Sequence, residues 1–157
     1  MAKSKQYWLI KSEPYVYSID DLEKDKKTHW HGVRNYQARN YMRDGMQAGD
    51  LVLFYYSNTD PNGIAGVAAV VRPAYPDFSA LDTKSEYYDP KATPQNPIWF
   101  MVDVEFREKF SRIVPLEELK AAKPLQGMML IEKGRRPSVQ PVSEKHFRFI
   151  FEMTKKT

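Results

Sequence analysis

Cysteine is absent from this chain of 157 residues. Its absence excludes a disulfide framework, a Cys-ligated zinc ribbon, an iron–sulfur cluster and a thiol nucleophile. The zinc-deaminase signature goes with them, because it needs cysteine ligands. Histidine is scarce at three residues, and no HExxH spacing occurs. His29 and His31 alternate and are expected on opposite sides of a strand, a poor arrangement for joint metal ligation. His146 falls in a helical pattern and reads as a surface or packing residue. Gly63-Ile64-Ala65-Gly66 lacks both the Lys-Ser/Thr of a P-loop and the dinucleotide-binding pattern. No apolar run approaches the ~18–20 residues of a membrane span, and the polar start MAKSKQ is no signal peptide. No cofactor, no metal and no membrane partner is expected. What remains is a soluble, cytoplasmic domain, long enough to bury a core without staples.

Charge is present but uneven. Lys and Arg total 24 against 20 Asp and Glu, for a formal net charge of +4. Residues 28–43 carry Arg34, Arg39 and Arg43 and no acid. Residues 75–106 carry six acids against Lys84 and Lys91, and the stretch from Arg107 onward holds twelve basic and six acidic residues. Such segregation either presents a basic face to phosphates or is re-mixed when distant segments meet in the fold.

Gln6 to Lys11 is aromatic and aliphatic without a breaker and predicts a first strand, closed by Pro14. Ser18 with Asp21 forms a capping-box pattern for a short helix over 19–23. Asn35 is placed to cap a helix from Tyr36 to Arg43 that stops at Gly45. Leu51 to Tyr56 is a buried strand, and Asn62-Gly63 turns the chain into a partner strand over Ile64 to Val71. Ile98 to Phe106 alternates as a further strand, Pro115 opens a helix through Leu119, and Ser143 caps a last one over Glu144 to Glu152. Leu125 to Ile131 reads equally as helix or strand. No repeat, linker or low-complexity tract divides residues 1–157, so one α+β domain around a curved sheet or small barrel is expected.

Three segments place polar residues inside apolar, aromatic surroundings. Lys11-Ser12-Glu13-Pro14 follows the first strand, where a fixed exit aims side chains into a cleft; an ordinary solvated strand end is the alternative. Trp30 to Asn40 combines an aromatic face, amides and Arg34 and Arg39. Aromatic rings stack on any nucleobase and amides read its edge, whereas the alternative makes Trp30 a core plug and Asn35 only a cap. Gly134 to Pro141 sets Arg135, Arg136 and Ser138 in a proline-bounded loop suited to phosphate or to solvent alone. Glu13 beside Ser12 has the chemistry of an acid–base pair, but no activated nucleophile stands next to it.

These same residues carry a specific resemblance. YWLIKSEP at Tyr7 to Pro14, YSIDDL at Tyr17 to Leu22 and WHGVRNYQARNYMR at Trp30 to Arg43 resemble the EVE-domain family. GDLVLFYYSN at Gly49 to Asn58, GIAGVAAV at Gly63 to Val70, YYDPKA at Tyr87 to Ala92 and RRPSVQPV at Arg135 to Val142 follow in order. The chain is thus similar to a stand-alone member, with a domain core of about 7–151. The resemblance implies a PUA-like, mixed-strand pseudobarrel flanked by short helices, and a location in the cytoplasm, or the nucleus in a eukaryote. It implies a reader of a modified base, chiefly modified cytosine in DNA, flipped into a pocket, and no enzymatic step. Pocket positions would be Lys11, Ser12, Glu13, Trp30, Asn35, Tyr55, Ser57 and Asn58; Arg34, Arg39, Arg135 and Arg136 would face the phosphate backbone. Pro137 departs from the aliphatic residue usual there. Extruding a base costs a few kcal/mol, offset by stacking and edge hydrogen bonds. The alternatives are an RNA-modification binder, an enzyme acting on nucleic acid or a nucleotide, and a small-ligand or protein-interaction module.

Overall fold

A computed structural model describes residues 5–134 and 137–155. Among these described residues, six strands form one mixed sheet: β1 (Tyr7–Ser12), β2 (Lys27–Trp30), β3 (Leu51–Tyr56), β4 (Gly63–Pro76), β5 (Phe100–Pro115) and β6 (Val139–Val142). Their order across the sheet is β2-β5-β4-β3-β1-β6. β1 runs parallel to β3, and the other neighbouring pairs are antiparallel. Four short α-helices accompany them: α1 (Ile19–Asp25), α2 (Tyr36–Asn40), α3 (Leu116–Ala121) and α4 (Glu144–Met153). The expected α+β fold is therefore present.

Strand alternation splits the core in two. Trp8, Ile10, Val52, Phe54 and Tyr56 point to one side, where Ile19, Leu22, Ala38 and Met42 cover them. Leu9, Leu53 and Tyr55 point to the other, beneath Leu119, Phe147, Ile150 and Met153. The period-two pattern of LVLFYY fills both faces because helices lie on both. β4 and β5 pair along most of their lengths through several register shifts, and such bulges bend a strand and increase its twist.

The helix starts follow the sequence. Ser18 Oγ accepts from the Asp21 amide while Asp21 Oδ2 accepts from the Ser18 amide, a complete capping box. Asn35 and Ser143 cap α2 and α4 by accepting from the Ala38 and His146 amides. The helix expected over 36–43 is instead α2 followed by one wider π turn, Tyr41–Gly45. Leu125 to Ile131 is neither α-helix nor strand; 3₁₀ turns at Lys123–Leu125 and Met129–Ile131 occupy that region. β4 and β5 both outrun their expected ends, because pairing with each other carries them past Pro73 and beyond Phe106.

The charge blocks are re-mixed. Arg34 pairs with Asp77 at 3.1 Å, and Lys109 with Asp20 at 2.7 Å, so basic and acidic segments meet across the fold.

Candidate nucleobase-binding cleft

The two parallel strands end side by side, with Ser12 opposite Tyr56. Their exits stay joined: the Ser57 amide donates to the Ser12 carbonyl at 3.0 Å, and Asn58 Nδ2 donates to Glu13 Oε2 at 2.9 Å. Beyond this end lies a cleft of about 680 Å³. Lys11, Ser12, Glu13, Ser57 and Asn58 form its strand-end wall. Trp30 enters from the end of β2, Gly32, Arg34 and Asn35 from the segment after it, and Tyr87 from the long loop before β5.

Trp30 is half-buried and braced by Tyr17 and Phe54, with ring planes inclined at 72° and 79° and centroids 6.1 and 5.6 Å away. It is thus both a core-packing residue and a wall of the cleft. Asn35 likewise has two places at once: Oδ1 caps α2, and the residue also borders the cleft. The Ser12 hydroxyl donates to the Tyr17 carbonyl at 2.6 Å and so fixes the loop after β1. Glu13 Oε2 accepts from Tyr15 Oη as well as from Asn58. The Tyr15 bond first, and the Asn58 bond second, hold the Glu13 carboxyl below the usual carboxylate range.

The opposite support is buried. Asp77 lies at the end of β4 with its side chain sealed from solvent. Oδ1 accepts from the Ser79 amide at 2.8 Å and from its hydroxyl; Oδ2 accepts from the Gly32 amide at 2.8 Å and from Arg34 Nη1 at 3.1 Å. Burial pushes the Asp77 carboxyl up, but the Ser79, Gly32 and Arg34 donors outweigh it and hold it below its ordinary value. Arg34 also donates from Nε and Nη2 to the Tyr87 carbonyl, at 3.2 and 2.8 Å. Its guanidinium lies 5.5 and 5.2 Å from the ring centroids of Tyr87 and Trp99. Gly32 is required at this junction: its φ is +85°, and a Cβ there would stand 2.7 Å from the Tyr87 ring.

Seven of the eight expected pocket positions meet at this cleft: Lys11, Ser12, Glu13, Trp30, Asn35, Ser57 and Asn58. Tyr55 does not. Alternation sends it to the opposite face, into the core beside Leu9 and Phe147, where it borders a neighbouring cavity of about 990 Å³. Arg34 borders the cleft but is turned inward to Asp77. Arg39 lies outside it, donating to the Ile98 carbonyl at 2.9 Å with its guanidinium 4.8 Å from the Tyr36 ring. Arg135 and Arg136 lie outside the described residues. Ser138 of the same loop borders the cleft, and its carbonyl accepts from the Lys11 amide. Pro137 is buried, and its carbonyl accepts from Gln140 Nε2 at 3.1 Å.

Sequence reasoning missed His29, His31 and Tyr87 as cleft residues. The two histidines are not on opposite sides. β2 ends at Trp30 and the chain turns through Gly32, so their rings approach to 4.9 Å. The signal that was available is Gly32 itself, a turn residue that ends strand alternation. Among the described residues, no group of three or more His, Cys, Asp or Glu is placed to hold a metal ion. Nor is any helix among them long and apolar enough to cross a membrane.

The EVE-domain family model matches residues 6–153, and the chain belongs to that family, as its motifs implied. Human thymocyte nuclear protein 1 is 39% identical over 169 aligned residues, covering 96% of this chain and 74% of the human protein. A hypothetical protein from Leishmania major superposes with a TM-score of 0.93 at 52% identity, covering 99% of this chain and 98% of that one. Human THYN1 protein, solved in complex with 5-methylcytosine-containing DNA, superposes with a TM-score of 0.91 at 38% identity, covering 98% and 99%.

Proposed function

We propose that this protein binds DNA and recognises a modified cytosine, extruded from the duplex into the cleft at the end of β1 and β3. The observation that carries the reading is the convergence of aromatic rings, amides and the Glu13 carboxylate in a single cleft with room for a base. The match to a DNA-bound relative of the same fold supports it. Trp30 offers a stacking face. The Asn35 and Asn58 amides donate to the acceptors of the pyrimidine edge, and Glu13 accepts from the exocyclic amine of cytosine. Val33 and Val16 supply apolar contact for a methyl substituent.

Glu13 is tuned for this role rather than for proton transfer. Hydrogen bonds from Tyr15 and Asn58 favour its charged form, so at neutral pH it is an acceptor only. A general acid needs a carboxyl raised toward the working pH, which is the reverse shift. Tyr55 is withdrawn from the pocket set and Arg34 from the phosphate set, because each is committed to the interior. Arg39, Arg135 and Arg136 are retained as the cations that meet the DNA backbone, which would appear as a shallower salt dependence on removing them.

The test is a fluorescence titration with paired duplexes that differ only in one cytosine 5-methyl group, repeated with Trp30→Ala. Preference for the methylated duplex, lost in the variant, supports the reading. Equal affinity for both duplexes, unchanged by Trp30→Ala, ends it. RNA of matched sequence, added as competitor, separates a DNA reader from an RNA reader.

A further inference from the structure

Phe78 is half-exposed, with 53% of its surface open, yet it stands on a capped turn whose next two residues are buried. It begins the 3₁₀ turn Phe78–Leu81, capped by Asp77, and the residues after it, Ser79 and Ala80, are buried. Asp77 in turn is bonded to the Gly32 amide and to Arg34, both in the cleft wall. The phenyl ring is therefore held against the cleft and not carried on a loose loop. It touches two rings of that wall: His29, edge-on at a centroid distance of 4.8 Å, and His31, inclined by only 27° at 6.3 Å. His31 meets Tyr87 at 5.6 Å, which continues the aromatic surface into the cleft.

Resting on the reading of the cleft as a base pocket, we infer that Phe78 and His31 form an external stacking ledge for the nucleobase next to the extruded one. The ligand class is a neutral aromatic base in a strand whose adjacent nucleotide occupies the cleft. Three features carry this assignment. The ledge is continuous with the cleft through His29 and His31, which border it. An extruded base leaves its neighbour with one unstacked face, and aromatic side chains cover such faces without regard to sequence. A ring fixed in advance loses little conformational freedom on binding, so its contact is retained as affinity. A docked protein segment would also bury Phe78, but it would have no reason to depend on a base in the cleft.

The experiment uses the full chain with duplexes carrying one 5-methylcytosine and the fluorescent base 2-aminopurine on its 5′ or 3′ side. Phe78→Ala is expected to weaken binding roughly 10-fold, within the range for loss of one stacked base. Phe78→Trp is expected to keep or improve affinity, and Ile113→Ala, at an exposed apolar position away from the cleft, to change nothing. In the wild type the 2-aminopurine on one side stays quenched as the complex forms; in Phe78→Ala it brightens. Methyl-dependent binding that is unchanged in Phe78→Ala, with no 2-aminopurine difference, overturns the ledge and leaves the pocket standing. Absence of methyl-dependent binding in the wild type overturns both. A thermal melt of Phe78→Ala matching wild type separates lost stacking from lost folding.

Discussion

Two carboxylates support the two sides of the cleft, and they are built in opposite ways. Asp77 is sealed from solvent, with both oxygens taken by the Ser79, Gly32 and Arg34 donors. Glu13 stands at the exposed strand exit, with Oε2 bonded to Tyr15 and Asn58 and Oε1 left as an acceptor. Both carboxyls sit below their ordinary range, for different reasons. At Asp77 the donors overcome a burial penalty; at Glu13 there is almost none to overcome. The difference separates a wall that holds shape from a wall that can exchange partners. A depressed carboxylate alone does not distinguish anchor from reader; the surrounding solvent does.

The largest effect is expected where the anchor is broken. Asp77→Ala leaves Arg34 mostly buried and unpaired, and it frees the Gly32 amide. It should lower stability by about 3 kcal/mol in urea denaturation, near the low end for a broken buried pair because Arg34 keeps some water contact. A loss below about 0.5 kcal/mol would put Asp77 in the class of ordinary surface substitutions.

Next comes the junction between the walls. Gly32→Ala forces a side chain into left-handed backbone and against the Tyr87 ring, and should cost about 1–2 kcal/mol from the backbone conformation alone. A stable Gly32→Ala protein with unaltered DNA binding would show that the Gly32–Tyr87 contact does not shape the cleft.

The acid response sharpens the comparison further. The folded Asp77 carboxyl is lowered, so the unfolded chain binds the extra proton over the intervening range. Its contribution is complete above the ordinary carboxylate value and is lost as pH falls through the lowered one. Denaturation midpoints measured from about pH 5 downward should fall less steeply in Asp77→Asn than in wild type. Parallel slopes would contradict the anchor role.

The smallest stability effect belongs to Glu13→Gln. The side chain is only partly buried at the strand exit, so the denaturation midpoint should fall slightly while affinity for methylated duplex falls much more, because an acceptor oxygen for the cytosine amine is replaced by a donor. A change in stability without a change in affinity would reverse the roles assigned to the two carboxylates.

Much of this frame is legible from local sequence. YWLIK and LVLFYY are strands because nothing in them interrupts pairing, and Ser18, Asn35 and Ser143 mark helix starts through their own side-chain bonds. What local sequence cannot carry is pairing at a distance. β2 is four residues long and exists because Thr28 and Trp30 find Val104 and Val102 on β5. β6 contains Pro141 and forms against the outer edge of β1. The parallel register that sets Ser12 beside Tyr56 depends on everything between them.

The site divides in the same way. Lys11-Ser12-Glu13 and Trp30 to Asn35 each stand out because polar groups interrupt aromatic runs, and both reach the cleft. Asp77 gives no comparable sign: its partners Gly32 and Arg34 lie 45 and 43 positions away. Tyr55 illustrates the cost of reading proximity along a strand as proximity in space. It is two residues from Ser57, but Tyr55 is still within β3 and faces the Leu9 and Phe147 side, whereas Ser57 lies past the strand's end, where the chain is free to reach the cleft.

The central claim is that the cleft itself receives the base. The most direct measurement is amide chemical-shift mapping of the isotope-labelled protein during titration with a duplex containing one 5-methylcytosine, against the unmethylated duplex. Methyl-dependent shifts should concentrate at Ser12, Glu13, Trp30, Asn35, Ser57 and Asn58, while Phe147 and Ile150, beneath the opposite face of the sheet, stay still. Methyl-dependent shifts centred on α4, with the strand-end residues unmoved, would contradict it.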